Sequence, residues 1–134
     1  MSVGQTKDAG WQIGVSKTVG RSAEEVWDFL TSAEGVAIWL GEGVTVHPEP
    51  GVGYETADGI RGETRSFREM DRIRLTWQPP GWSHDTTLQL AVGASGPGKA
   101  MLRIHQERLA DAAERERQRR HWQGVLAELI TALA

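Results

Sequence analysis

From Asp111 to Leu133 the chain repeats apolar residues at helical spacing. Trp122, Leu126, Leu129 and Leu133 fall on one stripe, with Val125 and Ile130 beside it. A helix of this length spans about 35 Å. Apart from one stretch, everything ahead of it alternates with the period of two that belongs to strands. An antiparallel sheet with one apolar face cannot leave that face in water, and only this helix is long enough to cover it. These constraints point to the α+β class and to one domain over residues 1–134.

Seven strands are expected. Trp11 to Val19 places Trp11, Ile13, Val15, Lys17 and Val19 on one side. Val44 to His47 reads as a short strand ended by Pro48-Glu-Pro-Gly51, and Gly53 to Thr56 as another ended by Asp58-Gly59. Arg61 to Arg68 continues the pattern. Ile73, Leu75 and Trp77 then alternate with Arg72, Arg74 and Thr76, until Gln78-Pro-Pro-Gly81 breaks the run. Thr86, Leu88, Leu90 and Val92 form the inward set of the sixth strand, and Ala100, Leu102, Ile104 and Gln106 that of the seventh. The exception to this alternation is Arg21 to Gly43, which reads as two short helices. Ser22 and Glu25 have capping-box spacing ahead of Val26, Phe29 and Leu30, Ser32 opens the second helix and Gly41 stops it. The polar residues 1–10 are expected to form a flexible lead-in.

Composition removes whole classes of function. Without cysteine there is no disulfide, no thiolate nucleophile and no cysteine-based zinc site. A net charge of −3 argues against a general nucleic-acid binder. The polar start and the lack of about 18 consecutive apolar residues argue against a signal peptide or membrane insertion, so a cytoplasmic location is expected. Gly93-Ala-Ser-Gly-Pro-Gly-Lys-Ala100 approaches a phosphate-binding loop but ends in alanine and runs into a strand, so it reads as a hairpin. The four histidines show no ligand spacing, and neither a metal nor a cofactor is expected. His105 is expected to point outward. Glu114 to Arg120 reads as a solvated helical face in which Glu116 pairs with Arg119 or Arg120. A sharper reading puts Arg115 or Arg119 at a pocket rim. For general acid–base work the candidates are His84 and Gln106, each equally explained as a hydrogen-bonded polar group.

The order strand, two helices, six strands, long helix resembles the helix-grip (START/Bet v 1-like) superfamily. Within it, the chain is similar to the bacterial branch related to the C-terminal domain of the activator of Hsp90 ATPase. The resemblance rests on Val19-Gly-Arg-Ser-Ala-Glu-Glu-Val-Trp27, Ile38-Trp-Leu-Gly41, Gly53-Tyr54, Asp58-Gly59 and Gly62. It continues through Arg72-Ile-Arg-Leu-Thr-Trp77, Leu102-Arg-Ile-His-Gln-Glu-Arg-Leu109 and Trp122-Gln-Gly-Val-Leu-Ala-Glu-Leu129. The chain departs from the family pattern at Glu69-Met70, where many members have two prolines. It also departs at Gln106, often histidine, and at His121-Trp122, often Gly-Trp.

The resemblance implies a curved seven-stranded antiparallel sheet gripping the last helix, with a space between them. Six tryptophans suit the walls of such a space. The residues expected to bind a ligand there are Trp39, Phe67, Trp77, Trp82, Leu88, Leu102, Gln106, Trp122 and Leu126, with Trp39-Leu40-Gly41 as a lid. The implied function is binding, transport or sequestration of a small apolar or aromatic ligand, including self-resistance to a metabolite. Two alternatives stay open: an enzyme of the polyketide cyclase, aromatase or hydrolase kind, and a co-chaperone contact with Hsp90. The Hsp90 partner is not expected for a chain with one domain.

Overall fold

The computed structural model describes residues 5–6 and 10–134. The strands are β1 (Gln5–Thr6), β2 (Gly10–Val19), β3 (Gly53–Glu55), β4 (Arg61–Arg68), β5 (Arg72–Trp77), β6 (Thr86–Gly96) and β7 (Lys99–Leu109). They form one antiparallel sheet in the order β1-β2-β7-β6-β5-β4-β3. The helices are α1 (Ala23–Thr31), α2 (Ala33–Trp39) and α3 (Ala112–Leu133). This is the expected α+β helix-grip arrangement. The expectation for residues 1–10 lies mostly outside the described residues.

The seven strands are not the seven expected from sequence. Val44–His47 has no strand pairing, and Gln5–Thr6 supplies the seventh strand by pairing with Gly10 and Trp11. The valines misled because Val44 and Val46 are indeed half-buried against the core. The segment is held by isolated bonds instead of a ladder. The carbonyl of His47 accepts from the Thr64 hydroxyl at 2.8 Å, while the Thr64 amide is already given to Val52.

Register places every apolar set on one face. Ile13, Gln106, Leu88, Leu75 and Thr64 are successive partners across five strands, and Val15, Ile104, Leu90, Ile73 and Phe67 form the next row. Each buried Leu or Ile in these rows contributes about 1.5–3 kcal/mol through burial. The glycine-rich segment is a hairpin, with Gly96 paired to Lys99. His105 lies on the outer face and is bonded to Gln12 at 2.8 Å.

The sheet is covered as the stripe on α3 requires. Asp111 caps α3 by accepting from the Glu114 amide at 2.8 Å. At its start the Arg115 guanidinium donates to the carbonyl of Gln12 at 2.8 Å. At its end Arg21 donates to the carbonyl of Leu133 at 2.7 Å. Both bonds tie α3 to the margins of β2. They also use Arg115 structurally, while Arg119 pairs with Glu116 at 2.8 Å, so neither stands free at a rim.

The two short helices form one unit. Ser22 and Glu25 make the expected reciprocal cap, with the Glu25 amide donating to Ser22 Oγ and the Ser22 amide to Glu25 Oε1. Ser32 both ends α1 and begins α2: its hydroxyl donates to the carbonyl of Phe29 at 2.6 Å and accepts from the Gly35 amide at 3.1 Å. The helices close so tightly that a Cβ on Gly35 would lie 1.9 Å from the Phe29 carbonyl oxygen.

Candidate functional site

Three elements converge at the end of the grip near the start of α3. They are the end of β5, the loop 78–85 with its proline pair, and the first half of α3. The loop is braced by the Gln78 side-chain amide donating to the carbonyl of Trp82 at 2.7 Å. Trp82 stands edge-on to Trp77 with ring centres 5.6 Å apart, and Trp77 lies 5.6 Å from Trp122 and 6.1 Å from His121. His121 and Trp122 are 4.6 Å apart, edge to face. The result is a continuous set of rings running from half-buried Trp82 and exposed His121 to Trp77 and Trp122 in the core. Such packing contributes about 0.5–1.5 kcal/mol per pair beyond burial.

Beneath the rings runs a buried polar chain. Trp122 Nε1 donates to Gln106 Oε1 at 2.7 Å, and Gln106 Nε2 donates to Thr86 Oγ1 at 2.8 Å. The Thr86 hydroxyl donates to the carbonyl of Trp77 at 2.7 Å. Gln106 is fully buried, and both ends of its amide are engaged. The sequence marks it as the one inward glutamine in an apolar row, and the structure gives the reason.

His84, the other sequence-derived candidate, packs on Trp82 with ring centres 5.2 Å apart. Its Nε2 lies 2.9 Å from Glu114, and its Nδ1 lies 3.1 Å from the carbonyl of Asp85. Both nitrogens therefore face acceptors, and the tautomer decides which of them donates. Glu114 in turn accepts from the amide of Ala110 at 3.1 Å. The pair fastens the loop to α3. Although part of His121 stays exposed, packing of its ring holds the imidazole below its ordinary value of 6.5, with Glu128 opposing.

The other expected lining residues are placed as follows. Leu88 and Leu102 are fully buried, and Leu126 nearly so, on the facing surfaces of sheet and α3. An empty chamber would leave its lining accessible, so the inner end is filled by side chains. Phe67 sits on the far side, edge-on to Trp27 at 5.6 Å. Trp39 is 2% exposed and donates to the carbonyl of Leu30 at 2.9 Å, which locks α2 to α1. The structure thus brings Trp77, Trp82, Gln106 and Trp122 together with His84. It places Trp39 and Phe67 in the α1–α2 region instead.

Sequence reasoning passed over Glu114 and Gln118. Both are buried on the inner face of α3. Counting back four residues from Trp122 reaches Gln118, and four more reach Glu114, so the apolar stripe continues through polar residues. Two buried side-chain atoms here have no hydrogen-bond partner among the described residues: Trp77 Nε1 and Gln118 Oε1. Elsewhere, a surface depression of about 470 Å³ lies on the outer sheet face, around Gly14, Ser16, Arg72, Ala91, Arg103 and His105. Neither unpaired atom belongs to it.

Solved structures share this architecture. DynU16, described as a putative protein in the dynemicin biosynthetic locus, superposes with a TM-score of 0.76 at 17% identity. The match covers 91% of this chain and 46% of that one, so the chain spans about half the length of DynU16. CalU16 from Micromonospora echinospora gives a TM-score of 0.73 at 14% identity, over 91% of this chain and 73% of its own. PFC0360w, an HSP90 activator from Plasmodium falciparum, gives 0.75 at 15% identity, over 91% and 95%. At these identities the likeness shows the fold alone. No curated protein matches the sequence. The family model described as activator of Hsp90 ATPase homolog 1-like protein matches residues 21–134. With five-sixths of its length matched and the helix-grip fold in place, the chain belongs to the activator of Hsp90 ATPase homolog 1-like family.

Proposed function

We propose that the protein binds a small, flat, largely apolar molecule among the rings of Trp77, Trp82, His121 and Trp122. The observation that supports this reading is the continuity of those rings from surface to core. Aromatic walls bury a planar ligand at little entropic cost, since each ring has few torsions to fix. The inner end is filled, so a ligand gains its place by displacing Trp82 or His121, the two ring-bearing residues that reach solvent. Retention without turnover fits the polar groups present. Gln106 is bonded at both ends of its amide, to Trp122 and Thr86, and both nitrogens of His84 face acceptors. Binding of this kind would serve transport or sequestration, including protection against a metabolite.

Native mass spectrometry of freshly purified protein tests the reading directly, with a co-purifying small molecule as the expected result. Saturable quenching of tryptophan fluorescence by a planar aromatic compound, recovered chemically unchanged, is the second expectation. Chemical conversion of that compound, lost in His84→Ala, would replace binding with catalysis. Absence of quenching by any of a panel of fused-ring compounds would remove the ring site altogether.

A further inference from the structure

The two unpaired atoms point to what the ligand carries. Trp77 is 3% exposed and Gln118 is 8% exposed, so water reaches neither freely. Trp77 Nε1 is a donor without an acceptor, and Gln118 Oε1 is an acceptor without a donor. Gln118 lies one helical turn before Trp122 on the inner face of α3, and Trp77 packs on Trp122. Side chains four apart on a helix stand about 5–6 Å from each other. Both orphans thus belong to residues flanking Trp122: Trp77 packs on its ring, and Gln118 stands one turn before it on α3, between Glu114 and Trp122.

Resting on the ring-site reading above, we infer that the ligand is neutral and presents both an acceptor and a donor, as a phenolic or enolic hydroxyl does. The acceptor side meets Trp77 Nε1–H and the donor side meets Gln118 Oε1. A charged ligand is disfavoured because a buried ion needs a partner. Of the ionisable groups bordering the site, Glu114 is committed to His84 and the Ala110 amide and Arg119 to Glu116, while burial holds the His121 imidazole below its ordinary 6.5, which favours the neutral ring. Trp77 and Gln118 are then the specificity residues of the site, whereas Gln106 is already bonded to Trp122 and Thr86.

Calorimetric titration with three probes of one shape separates the terms. Naphthalene offers neither function, 2-methoxynaphthalene an acceptor only, and 2-naphthol both. Each restored hydrogen bond to a buried orphan is expected to tighten binding about tenfold, equivalent to about 1.4 kcal/mol. The expected order is therefore 2-naphthol, then 2-methoxynaphthalene, then naphthalene. Gln118→Leu should erase the gap between the first two, and Trp77→Phe the gap between the last two, each gap being read within one variant so that a change in its naphthalene affinity does not enter. Circular dichroism of each variant checks that it is folded. Equal affinity for 2-naphthol and 2-methoxynaphthalene in the parent protein would mean that Gln118 accepts nothing, and would overturn the inference with the ring site intact. Failure of all three probes to bind would instead remove the ring site itself.

Discussion

Replacing Gln106 by leucine tests whether this glutamine is a structural bracket. The substitution keeps side-chain volume nearly constant, so packing is disturbed little. It leaves Trp122 Nε1–H, which donates at 2.7 Å, with nothing to bond in a fully buried position. An orphaned buried donor costs about 1–3 kcal/mol. Thr86 loses the amide that donates to it but keeps its own bond to the carbonyl of Trp77. The apolar gain of the leucine offsets part of the loss, so the net destabilisation is about 2 kcal/mol. Trp122→Phe orphans the other partner, Gln106 Oε1, and adds a small void, for about 2–3 kcal/mol. Together the two changes remove both partners of one bond, so the double variant should cost about 1–2 kcal/mol less than the sum. Urea unfolding followed by circular dichroism at 222 nm gives all four free energies. Strictly additive losses, or a neutral Gln106→Leu, would show that the bond carries no such weight. Then Gln106 would return as a candidate for chemistry.

Other expectations follow from the same geometry. Gly35→Ala would drive a Cβ to 1.9 Å from the Phe29 carbonyl oxygen, so it should cost about 3 kcal/mol or more, seen as a lowered urea midpoint; an unchanged midpoint would contradict the tight α1–α2 contact. Ser22→Ala removes the side-chain cap of α1 and should cost about 1 kcal/mol, while in carbon-detected NMR Glu25 moves only part of the way back towards 4.5, because the residue-22 backbone amide, the first cause of its lowered value, still donates and only the hydroxyl bond is gone. His105 and His121 are both held below 6.5, chiefly by burial; Glu107 opposes and Arg74 assists at His105, and Glu128 opposes at His121. Their lowered values leave stability fully present above pH 6.5 and reduce it as pH falls towards the folded values, because the unfolded chain takes up protons first. Urea midpoints at pH 7.5 and 5.5 measure the slope, which His105→Asn with His121→Asn should flatten; an unaltered slope would assign it to other groups.

The fold was largely legible because burial on one face of a sheet imposes alternation. Ile73, Leu75 and Trp77 could be placed inward from spacing alone, and so could the inward Gln106. Val44–His47 shows where that logic fails, since half-buried valines along an irregular segment alternate as a strand does. No spacing rule reports whether a backbone amide already has another partner, as that of Thr64 does. The site was legible in part. Trp77, Trp82 and Trp122 stood out as large rings, and their meeting depends on register that the strand pattern supplies. Gln118 and Glu114 were hidden by their neighbours. Among arginines and glutamates a polar side chain reads as solvated, and only the phase of the stripe behind Trp122 turns these two inward. Trp39 stood beside a glycine stop and read as a lid, whereas its indole nitrogen is spent on Leu30.

The two guanidinium ties between α3 and the margins of β2 bear on how the chain is made. Synthesis delivers the whole sheet before the helix that covers it, so the apolar rows from Ile13 to Phe67 stay unshielded until α3 has left the ribosome. Arg21 waits for Leu133, 112 positions later, before its bond can form. Nascent chains that stall short of Trp122 therefore expose an apolar sheet face for as long as they persist.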